Sequence, residues 1–134
     1  HHRTLERVSE LDWKVIDDLL PMKTTGKHFY RVHWLIADGS HKVEGYNLDV
    51  TYPPVKLRIT LSTNAGSSEI QLIRAGELIF GKTPDLVNFG WYSPTYGEKI
   101  PALSFRMSAE SAHAVQFITS IHFDDGKSHH ASSR

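Results

Sequence analysis

The sequence predicts an all-β chain, an antiparallel sandwich of two sheets, on three observations. Apolar residues recur at every second position in seven separate runs, and turn-forming residues separate those runs. No window longer than about ten residues sustains the 3.6-residue period of a helix.

The runs follow in order. In Leu11–Asp17 (LDWKVID), Leu11, Trp13 and Val15 share a face opposite Asp12 and Lys14. Residues 29–38 alternate Tyr30, Val32, Trp34 and Ile36 against Arg31, His33 and Leu35, and 45–52 set Tyr46, Leu48, Val50 and Tyr52 against Asn47, Asp49 and Thr51. The cleanest run is 55–62, with Val55, Leu57, Ile59 and Leu61 in and Lys56, Arg58 and Thr60 out. Ile70 and Leu72 pair within 69–76, and Val115, Phe117, Ile121 and Phe123 within 114–123. In 103–109, Leu103, Phe105 and Met107 alternate with Ser104, Arg106 and Ser108, whose face is expected to be wet. Lys23–Lys27, Asp38-Gly39-Ser40, Pro53-Pro54 and Asn64-Ala65-Gly66 supply the turns. About eight to ten such strands must stack as two sheets or close a barrel. Pro53-Pro54 and the long stretch 81–101 break the even spacing of an up-and-down barrel, so the sandwich is preferred.

Composition sets the outer bounds. The 134 residues are 40% hydrophobic and 22% charged, enough for one globular domain over 1–123. Residues 124–134 (DDGKSHHASSR) hold no apolar side chain larger than alanine and are expected to be a disordered tail. Fifteen basic residues balance fifteen acidic ones without a basic block, which argues against a nucleic-acid partner. No run approaches the roughly eighteen apolar residues of a membrane-spanning helix, so no membrane partner is expected. The opening HHRTLERV lacks the apolar core of a signal peptide, which says little about a chain that continues upstream. With no cysteine there are no disulfides and no thiolate chemistry, although no compartment follows from that.

Chemistry-bearing patterns are sparse. Of nine histidines, His1, His2, His129 and His130 belong to the ends, leaving His28, His33, His41, His113 and His122 scattered. No His-x-His strand pair or His-Glu-x-x-His helix is present, so no metal ligand and no cofactor site is assigned. Adjacent Asp17 and Asp18 point to opposite faces of a strand and cannot act as a facing acid–base pair. One of them is expected to be partly buried and hydrogen-bonded. No Gly-x-Ser-x-Gly elbow or phosphate loop appears, and no catalytic residue is assigned.

The stretch 81–101 (GKTPDLVNFGWYSPTYGEKIP) is the exception to the sparse pattern. Unpatterned loops of this length are uncommon in compact domains. Leu86, Val87, Phe89, Trp91, Tyr92 and Tyr96 give it too much apolar area to remain in water, so it is expected to be ordered and packed. Two readings of Trp91, Tyr92, Tyr96 and Lys99 stand side by side. They stack on and hydrogen-bond an acidic sugar, with Arg74 or Arg106 as further cationic partners. Or they plug the sandwich end and dock on a neighbouring domain.

The stretches HHRTLERV, DWKVIDDL, HFYRVHWLIADG and GWYSPTYGEKIPALSF, in that order, resemble the heparinase II/III-like polysaccharide lyases. The likeness spans about residues 2–123, and its last segment is the most specific. The resemblance implies a bacterial parent, periplasmic or secreted, with an N-terminal α-helical toroid followed by a large β-sandwich region. That parent cleaves uronate-containing polysaccharides by β-elimination. This chain resembles the C-terminal half of that sandwich region, downstream of the family's catalytic and metal motifs, so none of those residues carries over. The implied partners are the toroid and the first half of the sandwich, with acidic polysaccharide as a possible ligand. An isolated segment of this kind would expose apolar surface and strand edges that favour a homodimer. An autonomous carbohydrate-binding module and a purely structural assembly domain remain the alternatives.

Overall fold

The computed structural model describes residues 1–21, 26–82 and 89–127. Most of the turn at Lys23–Lys27, the loop residues Leu86 and Val87, and His129 and His130 of the tail lie outside them. The described residues form eleven strands and no helix, arranged as two antiparallel sheets facing each other.

The six-stranded sheet runs β1 (His2–Arg7), β2 (Asp12–Leu19), β11 (Val115–Asp124), β6 (Val55–Thr63), β5 (Asn47–Tyr52) and β4 (Ser40–Glu44). The five-stranded sheet runs β3 (His28–Ala37), β10 (Ile100–Ser111), β7 (Ser68–Arg74) and β8 (Glu77–Phe80), with the two-residue β9 (Trp91–Tyr92) paired to the start of β10. Local chemistry explains the hairpins. Pro53-Pro54 makes the two-residue turn between Tyr52 and its partner Val55. Ala75 and Gly76 both take positive φ, 51° and 77°, which closes β7 onto β8 with the twist that two-residue hairpins favour.

The core lies between the sheets, built from the alternation visible in the sequence. Leu48, Val50, Leu57, Ile59, Leu61, Val115 and Phe117 on one sheet meet Val32, Ile70, Leu72, Leu103, Phe105 and Met107 on the other. Each such side chain contributes roughly 1.5–3 kcal/mol by leaving water. A polar tie crosses the gap as well, because Trp34 Nε1 donates to the Thr119 hydroxyl at 2.9 Å. Asp17, 2% exposed, accepts from Arg3 at 2.6 and 3.0 Å and contacts His1, while Asp18 accepts from Gln116. One of the adjacent carboxylates was expected to be partly buried and hydrogen-bonded; both are hydrogen-bonded, with Asp17 buried and Asp18 half-buried.

Four strands lacked a readable alternation: β1, every residue of which is exposed, and the short β4, β8 and β9. Strand β10 also begins three residues earlier than the LSFRMSA pattern suggested.

One expectation is overturned. The Ser104, Arg106 and Ser108 face of β10 is not wet: these residues are 1%, 2% and 6% exposed. Strands β3 and β7 flank β10 on both sides, and the chain leading into β9 lies across its outer face at Phe89 and Gly90. Eight consecutive residues, Ala102–Ala109, are consequently buried. Asp124, placed at the start of the tail, is the last paired residue of β11, opposite Lys56.

A polar row and an aromatic arm as the candidate functional site

The outer face of the five-stranded sheet carries a set of polar side chains in register. Cross-strand register sets it out in rows. His33 on β3, Arg106 on β10 and Gln71 on β7 lie directly opposite one another; Arg31 and Ser108 form the next row with Glu69. Period-two geometry puts all of these side chains on the side away from the core.

Arg106 sits at the centre. Its Nε donates to Gln71 Oε1 at 2.6 Å, and Gln71 Nε2 donates onward to the Lys82 carbonyl at 2.5 Å. The guanidinium lies 4.4 Å from the centre of the Phe89 ring. Its Nη1 is buried without a hydrogen-bond partner. Among the described residues no ion pair joins Arg106 or Arg31 to a carboxylate. Burial, helped by the charge of Arg31, lowers the Arg106 pKa from its ordinary value.

His33 shares the Phe89 ring, meeting it edge-on at 5.8 Å between centroids. Its Nε2 lies 2.9 Å from the Ser104 hydroxyl. Ser104 Oγ also accepts the Gly90 N–H at 3.1 Å, and it meets His33 Nε2 as donor or acceptor according to the tautomer of the ring. Desolvation, followed by the charges of Arg106 and Arg31, pushes the His33 pKa down and favours the neutral ring. The pair resembles a serine–histidine dyad only in distance. The Ser104 hydroxyl is shut away from solvent, and among the described residues no carboxylate orients His33. The dyad anchors a loop rather than a nucleophile.

Gly90 connects this row to the aromatic arm. Its carbonyl accepts from both Ala75 N and Ala102 N at 2.8 Å, and its φ is +82°. A Cβ there would stand 2.5 Å from Ala75 N, so no other residue fits without backbone movement. From Gly90 the chain enters β9, where Trp91 pairs with Pro101 and Tyr92 with Ile100. The turn is tied by its own side chains: Ser93 Oγ donates to the Glu98 carbonyl at 2.7 Å, and Thr95 Oγ1 donates to Glu98 Oε2 at 2.9 Å. What the sequence presents as irregular loop over 90–101 is therefore a short, braced hairpin.

The four residues singled out on this arm are not equivalent. Trp91 is half-buried, Lys99 Nζ sits 4.2 Å from its ring centre, and its Nε1 is buried without a partner. Tyr92 is 50% exposed and, with Leu35, Ala37, Asp38, Ile100 and Pro101, lines a mostly apolar groove of about 490 Å³. Tyr96 projects fully into solvent at the tip. The structure thus brings Trp91 and Lys99 together and separates both from Tyr96. Of the two further cations considered, Arg74 is already committed to Asp38 by bonds of 2.8 and 2.6 Å, and this pairing lowers the Asp38 pKa. Arg106 is the one left without an acidic partner among the described residues.

Sequence reasoning missed His33, Ser104 and Gln71. Parity alone places Arg31 with His33, and Ser104 with Arg106, but only the pairing of β3 with β10 brings the two sets together. Among the described residues, no group of three or more histidines, cysteines or carboxylates is arranged to hold a metal ion. In comparisons with known proteins, no family model, no curated protein and no solved structure matches this chain.

Proposed function

We propose that this chain is a non-catalytic β-sandwich segment of a heparinase II/III-like polysaccharide lyase. It supports a catalytic α-toroid and borders the cleft that receives a uronate-containing polysaccharide. The observation that carries this reading is the construction of 90–101, the stretch in which the resemblance is most specific. Gly90 is held at three hydrogen bonds, the hairpin is self-braced, and the apolar groove beside Tyr92 is left open beneath it. A rigid arm over an open apolar groove suits docking against another part of the same enzyme.

The second reading, an autonomous carbohydrate-binding module, draws on the exposure of Tyr92 and Tyr96. The lysine over Trp91 counts against it, since a sugar ring would have to displace that cation from the indole face.

Tryptophan fluorescence during titration with heparin, alginate and hyaluronate oligosaccharides separates the two, with Trp91→Phe as control. The lyase-segment reading expects no saturable change for the isolated chain, and no release of ultraviolet-absorbing unsaturated uronate from any of the polymers. Unsaturated product from this chain alone would defeat the non-catalytic assignment. Saturable quenching that vanishes in Trp91→Phe would replace the docking arm with a sugar platform.

A further inference from the structure

The geometry points to Arg31, His33 and Arg106 as a binding site for a single oxyanion, a carboxylate or a sulfate, entering over the free edge of β3. This stands on the polar row itself and does not require the lyase reading.

A guanidinium removed from water needs a compensating anion or a full set of acceptors. Among the described residues Arg106, 2% exposed, has only Gln71 Oε1 on its Nε and the Phe89 face, and its buried Nη1 is unpartnered. Arg31 is a second cation on the same face. Its Nε donates to Ser108 Oγ at 3.3 Å, and its guanidinium lies 5.4 Å from the Phe29 ring centre. Burial and then the like charge of Arg31 lower the Arg106 pKa, and neither arginine has an ion pair among the described residues. The acids on this face, Glu69 and Glu110, stand exposed opposite Ser108 and Phe29 without reaching either arginine as an ion pair.

His33, with Nε2 engaged by Ser104, contributes a third donor through Nδ1 in the form that carries a proton there. Donors on Arg31, His33 and Arg106 therefore converge on one face, and an oxyanion offers the acceptors they lack. Access is from β3, which among the described residues pairs only with β10 and leaves Arg31 and His33 exposed at its outer edge. The anion meets those two at the rim and the Arg106 charge behind them.

The test is the thermal unfolding midpoint of the 134-residue chain in low-millimolar sodium sulfate and sodium glucuronate. Sodium chloride at equal ionic strength is the reference. General salting effects are small and unsaturable in that range. A saturable rise of about 5 °C is expected, lost in Arg31→Gln and in Arg106→Met and kept in Lys56→Gln on the opposite sheet. The anion that produces it identifies the group bound. In parallel, the His33 ring is titrated by NMR, where bound anion should raise its pKa by about one unit. An equal rise in chloride, no rise with either oxyanion, or a full rise retained in Arg31→Gln overturns the site. Arg31 is exposed, so that variant decides the matter even if Arg106→Met does not fold.

Discussion

The two faces of β10 make the most instructive contrast in this molecule. Leu103, Phe105 and Met107 look inward, and Ser104, Arg106 and Ser108 look outward, yet both triplets are almost completely buried. Inward, burial is its own reward, since apolar area leaves water and neighbours close around it at interior density. Outward, burial of a guanidinium and two hydroxyls must be offset by partners, and the set is incomplete at Arg106 Nη1. The inner face is what a sandwich needs to stand. The outer face is what a sandwich would shed under selection for stability alone, which marks it as the place to look for function.

Cutting into the inner face should have the largest effect. Phe105→Ala leaves a cavity between the sheets and is expected to cost about 3–5 kcal/mol, measured as a shift in the urea midpoint with an unchanged slope. A loss below about 1 kcal/mol would mean that β10 does not carry the core as described.

Next in size is the joint between the two regions. Gly90→Ala forces a side chain into the left-handed region and against the backbone of Ala75, at a cost of about 1–3 kcal/mol. The emission of Trp91 should also change as the arm loosens, while the far-ultraviolet spectrum of the sheets stays the same. An arm that is merely draped over the sheet would give neither change.

The smallest effect is a pH dependence confined to the outer face. His33 has a lowered pKa in the folded chain, so the unfolded chain binds its proton first as pH falls through the ordinary histidine range near 6.5. The contribution of His33 to stability is therefore present above that value and lost as pH drops below it. His33→Gln retains a hydrogen-bonding amide for the Ser104 hydroxyl and should flatten the stability profile between about pH 7 and pH 5. Identical slopes for both proteins would remove His33 as the source of that pH dependence.

The sequence carried the fold well and the site poorly, for one physical reason. Alternation depends on which residues face the core, and β6, with Leu57, Ile59 and Leu61 in and Lys56 and Arg58 out, announces itself without any partner. What covers a polar face is decided by pairing and by loops, which no local period encodes. Ser104, Arg106 and Ser108 read as wet because serine and arginine usually are. Only the register with β3 and the crossing of Phe89 and Gly90 make them buried. The arm was legible in its aromatic content and hidden in its geometry. Gly90 and the Ser93–Glu98 bracing turn an apparent loop into a hairpin, and Lys99 takes the indole face that a sugar would use. The cation that mattered was named among the candidates, but for its charge, with no hint of its burial.

The most direct measurement pairs stability with oxyanion binding in a single variant, Arg106→Met. Methionine fills a similar volume and removes the desolvated charge, so if the outer face is kept charged for a ligand, stability should hold or rise by about 1 kcal/mol while the sulfate or glucuronate response disappears. A loss of about 3 kcal/mol or more with the anion response intact would contradict this. Arg106 would then be a satisfied structural residue, and the outer face of β10 would be a second core in polar form.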